Sequence, residues 1–139
     1  MVPGPNASTE QLSLDPVPAS VSTARKFVSE VLGPVDEDVR DTALLLASEL
    51  VTNAILHAHT PVQVEILVDD EHALVCVADR LPGVVLAARD RSHDRPGGRG
   101  LALVADLSEQ WGTTDVAGGK TVWFTLPLAL AASSPAGTG

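Results

Sequence analysis

The sequence has little cysteine, few aromatic residues and little positive charge. Cys76 is its single cysteine, so no internal disulfide can form, and its place in the apolar run LVCVA is typical of a small core residue. Aromatic residues make up 3% of the chain, and 9 Lys and Arg face 18 Asp and Glu, a formal net charge of −9. Such a balance argues against direct nucleic-acid binding, because that needs a basic face.

Long hydrophobic runs are also missing. No stretch approaches the ~20 apolar residues of a membrane span, and MVPGPNASTE lacks the charged and apolar regions of a signal peptide. We therefore expect a cytoplasmic protein with no membrane partner. The length of 139 residues suits one domain, which we predict over 11–128, with a disordered segment over 1–10 and a disordered tail over 129–139.

Hydrophobic periodicity and turn residues predict the order β, α, α, β, β, loop, α, β, β. The predicted strands cover 11–15, 62–68, 73–78, 110–114 and 121–126. The predicted helices run from a cap at Ser20 or Ser22 to Leu32, from a cap at Asp36 to Ala58, and from Gly100 over LALVADLSEQ. This order predicts an α+β fold, a two-layer α/β sandwich whose mixed, mostly antiparallel sheet carries helices on one face.

The long second helix combines an apolar face with polar residues on the same side. At about 100° per residue, its apolar positions fall within one arc: Val39, Ala43, Leu46, Ala47, Leu50 and Ala54. Asn53 and His57 form a polar stripe that overlaps this arc, and Glu49 lies at its flank. An uncompensated buried amide costs about 1 to 3 kcal/mol, so these side chains are predicted to face a polar cavity, suited to a ligand with a metal ion.

The basic residues are concentrated in one window. Five of the nine lie within twenty residues: Arg80, Arg89, Arg91, Arg95 and Arg99. They indicate an anionic ligand, or a solvated loop that balances Asp90 and Asp94. Gly97, Gly98 and Gly100 lead into a predicted helix, where backbone N–H groups can approach an anion, although a plain glycine-rich linker gives the same pattern.

Together, ELVTNAILHA, DRLPG, GGRGLALV and GGKTVWFTL resemble the motifs of the GHKL ATPase superfamily, which has the Bergerat ATP-binding fold. The likeness is to its small anti-sigma-factor serine/threonine kinases of actinobacterial kind, and it extends from about residue 12 to residue 126. The resemblance implies ATP and Mg²⁺ as cofactors. It makes Glu49 the general base and Asn53 the Mg²⁺ ligand.

The remaining motifs imply the other nucleotide contacts. In DRLPG, Asp79 would accept the adenine amino group, with Gly83 as the second glycine and Leu81 in place of the first. The hinge and lid would be supplied by Arg95, Gly97, Gly98, Arg99, Gly100 and Leu101. Thr121 would lie beneath adenine near Asp79. His57 would reach a phosphate, orient Asn53, or serve only the structure.

The resemblance implies an anti-sigma factor and protein serine kinase that phosphorylates an anti-anti-sigma antagonist. Its expected partners are a sigma factor and a STAS-type protein, with homodimerisation possible. Two alternatives remain open: a non-catalytic ATP-binding module that acts through lid ordering, and a scaffold with a decayed pocket. A P-loop at GGKT is rejected, because Thr114 replaces the first glycine and a strand follows. A zinc site at His57 and His59 is also rejected, because no further ligand is near in sequence.

Overall fold

A computed structural model describes residues 8–80, 98–116 and 119–128. Its strands are β1 (Ser8–Leu14), β2 (Val62–Val68), β3 (His72–Asp79), β4 (Gln110–Val116) and β5 (Gly119–Pro127). Its helices are α1 (Ala19–Leu32), α2 (Glu37–Ala58) and α3 (Gly98–Leu107). The element order agrees with the predicted one, and the predicted α+β class is confirmed.

The five strands form one sheet in the order β1-β2-β3-β5-β4, with antiparallel neighbours throughout. The predicted hairpin of β2 and β3 closes at Asp69, whose Oδ1 accepts hydrogen bonds from the backbone N–H groups of Glu71 at 2.8 Å and His72 at 2.7 Å. A side chain that caps its own turn in this way is typical of aspartate.

The helices cover one face of the sheet, and the core lies between the two layers. Strand side chains alternate between the faces, so β3 and β5 each present every second residue to α2. On that face lie the buried side chains Ala73, Val75, Val77, Val122, Phe124 and Leu126. The apolar arc predicted for α2 is buried as well: Val39, Ala43, Leu46, Ala47, Leu50 and Ala54 are each at most 6% exposed.

Helix α2 begins where the sequence predicts. The Oδ1 atom of Asp36 accepts a hydrogen bond from Asp38 N at 2.9 Å, as an N-cap does. The predicted start of α1 is wrong. Its N-cap position is Pro18, and Ser20 lies inside the helix and is buried. The fixed φ of proline already suits a helical start, so no serine cap is required there.

Arg40 of α2 joins the two long helices. Its Nη1 donates to the backbone oxygen of Ser29 at 3.0 Å and to Ser29 Oγ at 2.7 Å, and its Nη2 donates to the carbonyl of Gly33. These acceptors are at the C-terminal end of α1, where Ser29 O also accepts a hydrogen bond from Gly33 N and the carbonyl of Gly33 lies just beyond the last helical residue. The guanidinium therefore caps α1 while holding it against α2.

Two predicted boundaries are corrected. Strand β1 begins at Ser8, inside the segment predicted to be disordered, because Ser8 pairs with Val68 at the end of β2. Helix α3 begins at Gly98 rather than at Gly100. Most of the predicted irregular stretch from Arg80 to Gly98, namely 81–97, lies outside the described residues, as does the tail over 129–139. In the described part of the chain, every helix is too short or too polar to cross a membrane.

Candidate functional site

A small polar cleft lies where the C-terminal half of α2 meets the ends of β3 and β5. Its lining consists of Leu50, Asn53, Ala54, Val77, Asp79, Lys120 and Val122. Three of these seven residues are polar, and all three are at most 7% exposed. The cleft encloses about 10 Å³, which is room for about one water molecule.

Backbone contacts fix the position of Asp79. It is the last residue of β3 and lies on the helix side of the sheet, in step with Val75 and Val77. Just beyond it, Arg80 N donates to Thr60 Oγ1 at 3.0 Å, which ties this end of β3 to the turn after α2. Gly119 has φ +155°, and a Cβ there would lie 1.9 Å from the carbonyl oxygen of Asp79. Only glycine allows β5 to start this close to Asp79.

Lys120 forms a buried ion pair with Asp79. The two residues are cross-strand partners, and Lys120 Nζ lies 2.8 Å from Asp79 Oδ2, with the side chains 4% and 3% exposed. Sequence reasoning missed this lysine. Its signal was available: Lys120 precedes Val122, Phe124 and Leu126 at two-residue spacing, so it had to share their buried face.

Asn53 contributes a buried side-chain oxygen that accepts no hydrogen bond from the described residues. The residue is 5% exposed, and its Oδ1 has no hydrogen-bond partner among the described residues. Leaving an acceptor in this state costs about 1 to 3 kcal/mol. A neutral amide oxygen is a ligand that Mg²⁺ accepts, since this ion takes one or two protein oxygens and completes its octahedron with water and phosphate. Asn53 therefore fits the expected magnesium ligand.

A cation site built from protein groups alone is not offered by this part of the molecule. Within residues 8–80, 98–116 and 119–128, there is no group of three or more His, Cys, Asp or Glu side chains placed to hold a metal ion. A metal at Asn53 would therefore depend on oxygens brought by the ligand. A metal carried on a nucleotide phosphate meets that requirement.

Glu49 and His57 flank Asn53, one turn before it and one turn after it on α2. Both are half-buried, and neither is among the described residues that line the cleft. His57 has an interaction partner of its own. The structure thus brings Asn53 and Asp79 into one cleft, and Glu49 and His57 are not part of its lining.

Thr121 is not the residue of β5 that lies opposite Asp79. Thr121 is the cross-strand partner of Ala78, and Asp79 faces Lys120. Because neighbouring residues of a strand point to opposite faces, Thr121 is on the face away from the helices. A nucleotide contact by Thr121 stays a prediction.

Of the predicted lid residues, Leu101 is 1% exposed in the core, and Gly98, Arg99 and Gly100 form the first turn of α3. Gly83, Arg95 and Gly97 lie outside the described residues. Nucleotide contacts by these residues stay predictions.

A larger cavity of about 330 Å³ lies at the other end of α2. Its lining includes Val39, Leu107 and Leu126, with Asp38 and Glu109 also contributing. Among the described residues, none of the polar side chains that the sequence motifs single out belongs to this lining. A binding site needs polar groups that can contact the ligand as well as space for it. The smaller cleft that contains Asn53 and Asp79 is therefore the candidate site.

The model of the histidine kinase-like ATPase domain family matches residues 14–126. Among solved structures, the RsbU and RsbW domains of Rv1364c from Mycobacterium tuberculosis match with a TM-score of 0.67 and 22% identity, over 87% of this chain and 32% of that one. The histidine kinase domain of a blue-light activated histidine kinase from Erythrobacter litoralis matches with a TM-score of 0.57 and 22% identity, over 87% and 65%.

At these identities the two structures show a shared fold. The chain spans about a third of the first matched chain and just under two thirds of the second. No curated protein sequence matches it.

Proposed function

Because this chain belongs to the histidine kinase-like ATPase domain family, we propose that it binds Mg-ATP and acts as an anti-sigma factor and protein serine kinase. In this proposal it binds a sigma factor, and it phosphorylates a STAS-type antagonist on serine. Homodimerisation and a cytoplasmic location belong to the same proposal. Membership of the family implies ATP binding, and the regulatory kinase role is the part of the proposal that goes beyond family membership.

The observation that carries the proposal is the unsatisfied Oδ1 of Asn53 beside the Asp79 carboxylate. Both groups are buried, and both line one cleft. A buried acceptor without a hydrogen-bond partner destabilises the folded state. A ligand that brings a cation to this oxygen removes that destabilisation. Asp79 can accept a hydrogen bond from the amino group of a base, so the two side chains suit the metal and base ends of Mg-ATP.

The chemistry requires a base and charge stabilisation. Glu49, one turn from Asn53, would accept the hydroxyl proton of the substrate serine while the serine Oγ attacks the γ-phosphorus of ATP. The bond between that phosphorus and the oxygen that bridges it to the β-phosphate would break, and ADP would leave. Mg²⁺, held by Asn53 Oδ1 and phosphate oxygens, would neutralise charge on the transferring group. The arginines between 89 and 99 would bind the same phosphates, and the backbone N–H groups in the first turn of α3, which begins at Gly98, would donate to them.

The proposal is tested by phosphate transfer from labelled Mg-ATP to STAS-type proteins, with Glu49→Gln as the diagnostic variant. Loss of a general base costs on the order of 100- to 10,000-fold in rate, whereas the affinity for Mg-ATP should stay nearly constant. Asp41→Asn is the matched control, because Asp41 is an exposed carboxylate on the same helix. Transfer by Glu49→Gln at the rate of the control would remove Glu49 from the role of base.

One observation favours a second candidate, an ATP-binding module without catalysis. Glu49 is outside the set of residues that line the cleft. In such a module nucleotide would only order a partner-binding surface. Glu49→Ala would then leave nucleotide-dependent binding of the partner unchanged, whereas Asn53→Ala or Asp79→Ala would abolish it. Absence of phosphate transfer together with tight Mg-ATP binding would select this candidate.

A further inference from the structure

The ion pair of Lys120 and Asp79 occupies the part of the cleft where a base would be recognised. Lys120 Nζ lies 2.8 Å from Asp79 Oδ2, and both side chains are nearly excluded from solvent. The strand register places the two residues directly opposite each other. Their helix-facing orientation directs both groups into the cleft, so the ammonium is held there by the fold.

The size of the cleft adds a second constraint. Lys120 and Val122 of β5 form one wall, and Asn53 and Leu50 of α2 form another. The enclosed space of about 10 Å³ holds about one water molecule and is far too small for a purine. Within the described lining, a side chain would have to move for a base to reach Asp79. Lys120 is the flexible one among them, with four rotatable bonds against the short or branched chains of its neighbours.

We propose that Lys120 sets the affinity and base specificity of the nucleotide site, by holding Asp79 until the amino group of adenine replaces its ammonium. This inference rests on the proposed Mg-ATP binding. Both the ammonium and the 6-amino group donate hydrogen bonds, and the small cleft leaves no room for both beside Asp79, so they compete for its carboxylate. The bound base thereby satisfies Asp79, and the lysine turns towards solvent or the phosphates.

The exchange has a consequence for affinity. If the open arrangement is a minor state, the apparent dissociation constant is raised by the reciprocal of its population. A site that is open about a tenth of the time binds about tenfold more weakly than one that is always open. Removal of the lysine side chain should therefore tighten ATP binding by about tenfold or more.

Guanine gives the exchange a specific signature. Its 6-position carries a carbonyl oxygen, which a carboxylate repels and an ammonium attracts. Lys120 must move aside for guanine as well, but its ammonium can then donate to that oxygen. Its removal opens the cleft and also loses this contact, so the two effects offset each other and GTP affinity should stay unchanged or weaken. The ratio of ATP to GTP affinity rises only if the lysine acts at the base edge, since a general structural effect would change both nucleotides alike.

The test is calorimetric titration of the intact chain and its variants with Mg-ATP and with Mg-GTP. Lys120→Ala removes the ammonium and the stem. Because it removes an ion-pair partner from the buried Asp79 carboxylate, which destabilises folding, Lys120→Gln is the second variant. Its neutral amide keeps a weaker hydrogen bond to Asp79, and it should tighten ATP binding less than Ala does. Lys26→Ala is the control, since Lys26 is the other lysine of the chain and is exposed.

Tighter ATP binding by both variants, with GTP binding unchanged or weaker, would support the exchange. Unchanged or weaker ATP binding by both variants would overturn it, since the lysine would then be a structural or ligand-binding group. Equal tightening of ATP and GTP would overturn the placement of Lys120 at the base edge. If neither the native chain nor any variant binds Mg-ATP, the proposed function itself fails.

Discussion

Replacement of Asn53 by alanine should separate the stability of this protein from its ligand binding. The substitution removes an amide whose Oδ1 is buried without a hydrogen-bond partner among the described residues. Relief of that desolvated acceptor is worth about 1 to 3 kcal/mol. Alanine also adds about 0.5 kcal/mol of helix propensity, and the small cavity that it leaves costs a similar amount. We expect the free energy of unfolding to rise by about 1 to 3 kcal/mol.

The same substitution should remove the part that magnesium contributes to the stabilisation of the folded protein by Mg-ATP. At a free concentration of 100 times the dissociation constant, a ligand stabilises the native state by about 2.7 kcal/mol. The native chain should show this gain with Mg-ATP, and Asn53→Ala should lose the part of it that depends on Mg²⁺. Urea unfolding with Mg-ATP, with ATP and a chelator, and without nucleotide measures both effects in one series.

The control is Gln11→Ala, which removes an exposed carboxamide from β1 at the edge of the sheet. It should leave the Mg-ATP-dependent gain unchanged. Two results would refute the reasoning about Asn53. A loss of stability in Asn53→Ala without nucleotide would mean that the amide is a satisfied structural group, and a full Mg²⁺-dependent gain would mean that it is not the metal ligand.

Two further predictions concern the scaffold. Arg40→Ala should lower the free energy of unfolding, measured in urea, by about 2 to 3 kcal/mol, because it removes hydrogen bonds to Ser29 and Gly33. The control Arg25→Ala loses one exposed hydrogen bond to Ser48 and should lower the free energy of unfolding by well under half as much. Equal losses in the two variants would contradict the capping role of Arg40. Burial, and secondarily the charge of Glu65, raises the pKa of the Cys76 thiol from 9.0 to about 11, so its thiolate is scarcer below pH 9 in the folded chain than in the unfolded one. Iodoacetamide at pH 8 should therefore alkylate the folded protein about 100-fold more slowly than the urea-unfolded protein, with a rate that climbs towards pH 11; similar rates in both states would refute the shift.

The local patterns of the sequence predicted several elements because each depends on neighbours along the chain. The buried arc of α2 follows from its 3.6-residue period, and the cap at Asp36 follows from its position before two acidic residues. The start of α1 was missed because proline and serine both permit a helix to begin. The start of β1 was missed because Ser8 gains its partner from Val68, far along the chain.

The candidate site was predicted only in part. Asn53 and Asp79 stand out in the sequence, since one is an amide in an apolar arc and the other ends an apolar strand. Their meeting in one cleft required α2 to pack across β3. The ion pair of Asp79 with Lys120 joins groups 41 residues apart, and a shift of one residue in the pairing of β3 and β5 would turn Lys120 to the opposite face.

The sequence by itself determined which segments form helices or strands, because apolar residues recur along them with periods of 3.6 or two residues. It also determined which polar residues interrupt those apolar patterns. Only the tertiary structure decided that Lys120, and not Thr121, faces Asp79, and that the Asn53 oxygen is left without a partner in the described part of the chain. Strand register and helix packing fix such contacts, and both are set by distant segments that meet only in the folded protein.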